Sequence, residues 1–147
     1  MTTLSLKLAK ALEIPHIPIK HEALSNIAND VFSLADPMND YDYYVIYHAK
    51  QIFLAIAMYV GESSTTTPTL KCIIDVASRP NLSDWINSLA SEHRSNHCRV
   101  AGEQNRLSYQ CIKSLSEYSR VRSNSDRVTI MAKFNDLLKS AIECDAA

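Results

Sequence analysis

Tyr43-Tyr44-Val45-Ile46-Tyr47-His48-Ala49-Lys50-Gln51-Ile52-Phe53-Leu54-Ala55-Ile56-Ala57-Met58-Tyr59-Val60 is apolar on nearly every side when wound as a helix. A helix with no polar face belongs at the centre of a bundle, because only other helices can cover it on all sides. The continuous apolar run within it, Ile52 to Val60, is nine residues long. At 1.5 Å per residue it reaches only about 14 Å, too short to cross a hydrocarbon layer of about 30 Å. The chain therefore reads as soluble and all-α, a bundle built around a central helix at about 43–60. The acidic turn before it, Asp36-Pro37-Met38-Asn39-Asp40-Tyr41-Asp42, places Asp40 and Asp42 where a helix N-terminus favours negative charge. Gly61 is the expected stop.

Helical periodicity continues on both sides of this segment. Leu4, Leu8, Ala11 and Leu12 share one side of a short N-terminal helix. Ile14-Pro15-His16-Ile17-Pro18 predicts an extended arm, since each proline disfavours helix at its predecessor. From His21 the positions Leu24, Ile27, Ala28, Val31 and Ala35 form a second stripe. Thr67-Pro68 predicts a cap followed by proline at the first helical position, with Leu70, Ile73, Ile74 and Ala77 facing inward. After the break at Arg79-Pro80, Asn81 opens a helix whose Leu82, Trp85, Ile86, Leu89 and Ala90 are spaced for burial.

A long helix is expected from about Arg99 to Arg120, buried through Val100, Leu107, Cys111, Leu115 and Tyr118. Ser123 or Ser125 caps the last helix, with Val128, Met131, Phe134, Leu138, Ala141 and Ile142 as its buried stripe. The expected total is six or seven helices in a single domain over 1–147. Residues 21–143 form the bundle, and 1–20 form a helix and arm whose membership the sequence leaves open. The chain has 147 residues, enough to bury a substantial core without metal or disulfide support.

Composition removes several functions. Gly61 and Gly102 are the two glycines, so neither a Walker loop nor a Rossmann turn can be written. There is no G-x-S-x-G elbow, and the paired E-x-x-H pattern of helical di-metal enzymes is missing. Cys72, Cys98, Cys111 and Cys144 form no C-x-x-C pair and read as reduced, mostly buried thiols. His93 and His97 lie four apart, the spacing that places two imidazoles on one helix face, beside Cys98 and Glu92. A zinc site needs further ligands and an ordered outer shell. With Arg94 between the two histidines, a solvated polar connection is the favoured reading, and no cofactor is expected.

Charge is unevenly distributed. Residues 1–92 carry a net −4 and residues 93–133 a net +5. Within the basic stretch Arg99, Arg106, Lys113, Arg120 and Arg127 recur every seven residues. A seven-residue step drifts only about 20° on a helix, so the first four form a longitudinal stripe. Such a row receives an acidic partner or tracks phosphates, although Glu103 and Glu117 also pair with it as ordinary surface ions. The acidic-aromatic cluster Asp36, Asp40, Tyr41, Asp42, Tyr43, Tyr44 and Tyr47 is the second candidate surface, tyrosine being a frequent interface anchor that also fills the ends of helical cores.

The stretch Tyr43 to Val60 also resembles a helix of the type IV secretion coupling proteins, inner-membrane ATPases that pass conjugative DNA or effector proteins to a secretion channel. Its aromatic start, the Ala49-Lys50 pair and the following apolar run are similar to the helix that begins the all-α domain inserted in that family's motor. Thr67-Pro68-Thr69-Leu70 with Ile73 and Ile74 resembles the family's next helix, and Ser123 to Leu138 resembles its closing one. The likeness spans roughly residues 24–142 in element order. Residues 1–20 have no counterpart, and the aromatic-Asp-Pro segment that often follows the closing helix is absent. The resemblance implies a cytosolic domain excised from a membrane-anchored, hexameric ATPase at the bacterial inner membrane. It implies a receptor for secreted or transferred proteins, a relaxase or accessory factor, or DNA, with no small-molecule substrate. The competing readings are a free-standing nucleic-acid-binding protein and, using His93 and His97, a small helical metalloenzyme.

Overall fold

The computed structural model describes residues 3–32, 37–63, 69–88, 109–121 and 123–146, and all regular structure among them is helical. The elements are α1 (Thr3–Leu12), α2 (Ile17–Phe32), α3 (Asp40–Ser63), α4 (Leu70–Ala77), α5 (82–88), α6 (Tyr109–Ser119) and α7 (Asn124–Ala146). α3 is the hub: α2, α6 and α7 pack most extensively against it, and α1 and α4 also touch it. Its residues from Ile52 to Met58 are all buried, as a helix apolar on every side requires. Phe32 of α2 meets Phe53 of α3 edge-on and Phe134 of α7 in a stack, both at 6.1 Å between ring centroids, so three helices lock at one aromatic junction. No described helix is long and apolar enough to cross a membrane.

The N-terminal helix belongs to the same core, with Leu8, Ala11 and Leu12 buried. The expected extended arm is shorter than the two prolines predict. Pro18 lies inside the first turn of α2, where Lys20 N–H already donates to the His16 carbonyl at 2.9 Å. The first amides of a helix have no partner within it, so a proline there forfeits nothing. α2 accordingly starts at Ile17 and not at His21.

Gly61 does not stop α3, which runs on to Ser63. A Cβ at Gly61 would lie 2.9 Å from Leu12 Cδ2, so the absent side chain is what lets the end of α1 approach the hub helix. The α4 cap is Thr69, in extended backbone, with Thr67-Pro68 outside the described residues. Asn81, at a φ of 58°, turns the chain between α4 and α5 in the left-handed region that Asn tolerates better than most residues. Of the expected long helix, α6 buries Cys111, Leu115 and Tyr118, while Val100 and Leu107 lie outside the described residues.

Ser123 caps α7, its Oγ accepting from Asp126 N–H at 3.3 Å. The buried side of α7 differs from the expected one. Ile130, Phe134, Leu137 and Leu138 are buried, whereas Val128 is 70% exposed. At 100° per residue the observed face is rotated roughly 60° from the one read off the sequence. Met131, Ala141 and Ile142 consequently sit half-buried at its margin.

Candidate tyrosine face of the hub helix

The first three turns of α3 bury Val45, Ile46 and Ala49 in the core and turn their opposite side to the surface. The start of the helix is fixed by its own side chains. Asn39 Oδ1 accepts from Asp42 N–H, and the Asp42 carboxylate accepts from Met38 N–H, each at 2.9 Å. This is a variant of the reciprocal capping box, and the negative charge of Asp42 suits the helix N-terminus. Asp42 is thereby a structural residue as well as a member of the candidate surface. Asp40 is exposed in the same turn.

Four tyrosines follow on the surface: Tyr41, Tyr43, Tyr44 and Tyr47, with Tyr43 the most open at 63% exposure. Tyr41 and Tyr44 stack at 6.1 Å. Beneath them His48 is buried, met edge-on by Tyr44 at 4.6 Å and Tyr47 at 5.2 Å. The two flanking helices supply carboxylates to the phenols. Tyr41 donates to Asp126 Oδ1 of α7 at 2.8 Å, and Tyr47 donates to Glu117 Oε2 of α6 at 3.5 Å. Glu117 also pairs with Arg120 at 3.8 Å.

Electrostatics follow from these contacts. The hydrogen bond to Asp126 holds the Tyr41 hydroxyl protonated above its ordinary range. Partial burial raises Tyr47 in the same sense, with the Glu117 charge adding to it. Burial lowers His48 below the usual imidazole range despite the opposing pull of Glu117 and Asp126, so its ring is neutral near pH 7. His48 Nδ1 is buried with no hydrogen-bond partner. Leaving a ring nitrogen in that state costs about 1–3 kcal/mol.

The basic row is only partly present among the described residues. Lys113 and Arg120 are exposed on or just beyond α6, and Arg99 and Arg106 lie outside the described residues. Arg127, the fifth residue of the seven-residue recurrence, lies on α7 and is engaged locally. Its Nε donates to the Val121 carbonyl at 2.6 Å, and its guanidinium lies 6.0 Å from the Tyr118 ring centroid, so it braces the α6–α7 turn. On α2, burial first and the Lys113 charge second lower His21. The acidic-aromatic cluster and the basic row are thus neighbours: Glu117 joins them, bonded to Tyr47 on one side and Arg120 on the other.

Sequence spacing marked Asp40, Tyr41, Asp42 and Tyr44 as candidates and paired Glu117 with the basic row, as its contact with Arg120 shows, but gave no role to Asp126 or His48. His48 carries a local signal, since Tyr44 precedes it by four residues and so shares its helix face. Asp126 and Glu117 carry none, lying 85 and 70 residues from their tyrosines.

His93, His97 and Cys98 lie outside the described residues, and among the described residues no three His, Cys, Asp or Glu side chains gather as a metal site. The expectation of mostly buried thiols holds for Cys111, whereas Cys72 is half-buried and Cys144 exposed. Burial pushes the Cys111 thiol up, with Glu62 beside it acting in the same direction, and the Thr69 hydrogen bond lowers Cys72. A groove of about 300 Å³ is lined by Leu4 of α1, Ile27 and Val31 of α2 and Ala141 of α7, with the Lys7–Asp30 ion pair at its rim. No family model matches the chain, and neither a curated protein nor a solved structure matches it.

Proposed function

We infer that this chain is a non-catalytic receptor module of the kind carried by type IV secretion coupling proteins, holding a protein substrate for a motor encoded with it. The observation that carries the reading is the tyrosine face of α3, where four aromatic rings stand exposed on the helix that also organises the core. Exposed rings cost solubility and are enriched where proteins dock. Anchoring them on the hub helix makes the face rigid, so little order has to be imposed when a partner binds. The partners would be transferred or secreted proteins, a relaxase or an accessory factor, and the parent protein a membrane-anchored hexameric ATPase.

The carboxylates around the rings weigh against the alternative of a free-standing nucleic-acid-binding protein, because they repel phosphate. A Walker loop upstream and motor acidic residues downstream in the same reading frame would support the parent architecture. The functional test is Tyr43→Ala with Tyr44→Ala in that parent. Transfer of its substrate should fall by about tenfold or more, the loss of two interface anchors. Hexamer abundance and ATP hydrolysis should be unchanged. Unaltered transfer removes the receptor reading.

A further inference from the structure

The rings are bordered by negative charge from three helices. Asp40 and Asp42 lie in the first turn of α3, Glu117 on α6 and Asp126 on α7. Two of these carboxylates accept from the phenols themselves, which polarises Tyr41 and Tyr47 and deepens the negative potential over their faces. Lys50 follows Tyr43 by seven residues and so shares its side of α3, half-buried, while three cations of α6 and α7 are placed differently. Arg120 is paired with Glu117, Arg127 is turned onto the Val121 carbonyl and the Tyr118 ring, and Lys113 is exposed on α6, its charge felt by His21 of α2.

We propose that the tyrosine face docks a cationic protein segment, with arginine guanidinium groups lying over the Tyr43 and Tyr44 rings and held at the edges by Asp40, Glu117 and Asp126. This names the partner chemistry for the receptor surface and rests on that reading. Aromatic faces and carboxylates act together on such a ligand: the ring attracts the guanidinium plane, and the carboxylate takes its N–H groups two at a time. Lysine offers a point charge, cannot match the fork and is more strongly hydrated, so it binds less well. Nucleic-acid bases also stack on tyrosine, but their phosphates meet the same four carboxylates and are repelled.

The test uses the intact chain and an alternating Arg-Gly peptide, with Lys-Gly, Ser-Gly and Glu-Gly peptides and oligothymidylate as comparisons. Binding is followed through the tyrosine ring NMR signals and by fluorescence anisotropy. The Arg-Gly peptide should shift the Tyr43 and Tyr44 ring signals and bind severalfold more tightly than Lys-Gly, while Ser-Gly, Glu-Gly and oligothymidylate leave the rings unmoved. Tyr43→Ala with Tyr44→Ala should weaken Arg-Gly binding by about tenfold, two exposed cation–π contacts being lost. Asp40→Asn with Glu117→Gln should weaken it severalfold and flatten its salt dependence.

Both side-chain pairs are surface-exposed or partly so, and helical circular dichroism with the melting temperature confirms that the variants fold. Ring signals that ignore Arg-Gly, that respond equally to Ser-Gly or oligothymidylate, or an affinity untouched by either double variant, each overturn the proposal. Transfer that depends on the tyrosines while Arg-Gly and Ser-Gly bind alike removes the cation and leaves the receptor reading. Arg-Gly binding at the rings with transfer unaffected keeps the cation and removes the receptor.

Discussion

The register of α7 sets both the core and the candidate surface, and it can be tested by a pair of substitutions. Ile130 is fully buried, whereas Val128, two residues earlier, is 70% exposed. Removing the Ile130 side chain beyond Cβ forfeits its transfer energy and opens a cavity, together about 2–5 kcal/mol. At Val128 only a minor share of the side chain is buried, and alanine is the better helix former by roughly half a kcal/mol, so the change is about zero. Ile130→Ala should therefore lose at least about 2 kcal/mol more than Val128→Ala. For a chain of this size that is a melting temperature lower by at least roughly 4–8 °C, at about 2–4 °C per kcal/mol. Urea titration with matched m-values gives the free energies directly. A costly Val128→Ala with a mild Ile130→Ala would put α7 in the register that its sequence stripe indicates. That rotation would carry Asp126 away from Tyr41, and the carboxylate border of the tyrosine face would be lost with it.

Three further outcomes follow. His48 and His21 are both held below the ordinary imidazole value of 6.5, His48 by burial and His21 by burial and then Lys113. The unfolded chain therefore takes up protons that the native state refuses. Their contribution to stability is complete above about pH 6.5 and is lost as pH falls from there towards the lowered native values, so the urea midpoint should drop between about pH 7 and pH 5. His48→Phe should flatten part of that slope, and a midpoint that holds or rises on acidification refutes the assignment. At Asn81, φ 58°, glycine should be neutral or slightly stabilising, and valine should cost about 1–2 kcal/mol in chemical denaturation; equal stabilities would contradict the left-handed turn. Gly61→Ala gains about 1 kcal/mol of helix propensity but meets Leu12 Cδ2 at 2.9 Å. It should be more favourable in a Leu12→Val background than in the native one, and additivity of the two changes would remove the contact.

Local pattern determined much of this protein. The apolar run Ile52 to Val60 made α3 the hub, although the earlier turns from Tyr43 keep an exposed face, the spacing of Cys111, Leu115 and Tyr118 set the buried side of α6, and Ser123 marked the start of α7. These features depend on the helical repeat and on the unpaired amides of a helix end, which neighbours along the chain specify. The tertiary structure decided the rest. Gly61 reads as a stop until Leu12 is brought against it, and Pro18 reads as a breaker until the first turn of α2 is located. Val128 reads as core until the junction of Phe32, Phe53 and Phe134 fixes how α7 rolls. The tyrosines of α3 were visible as a cluster, but their carboxylate partners lie on helices 70 and 85 residues away, and only packing against a shared hub brings such distant groups within hydrogen-bond reach.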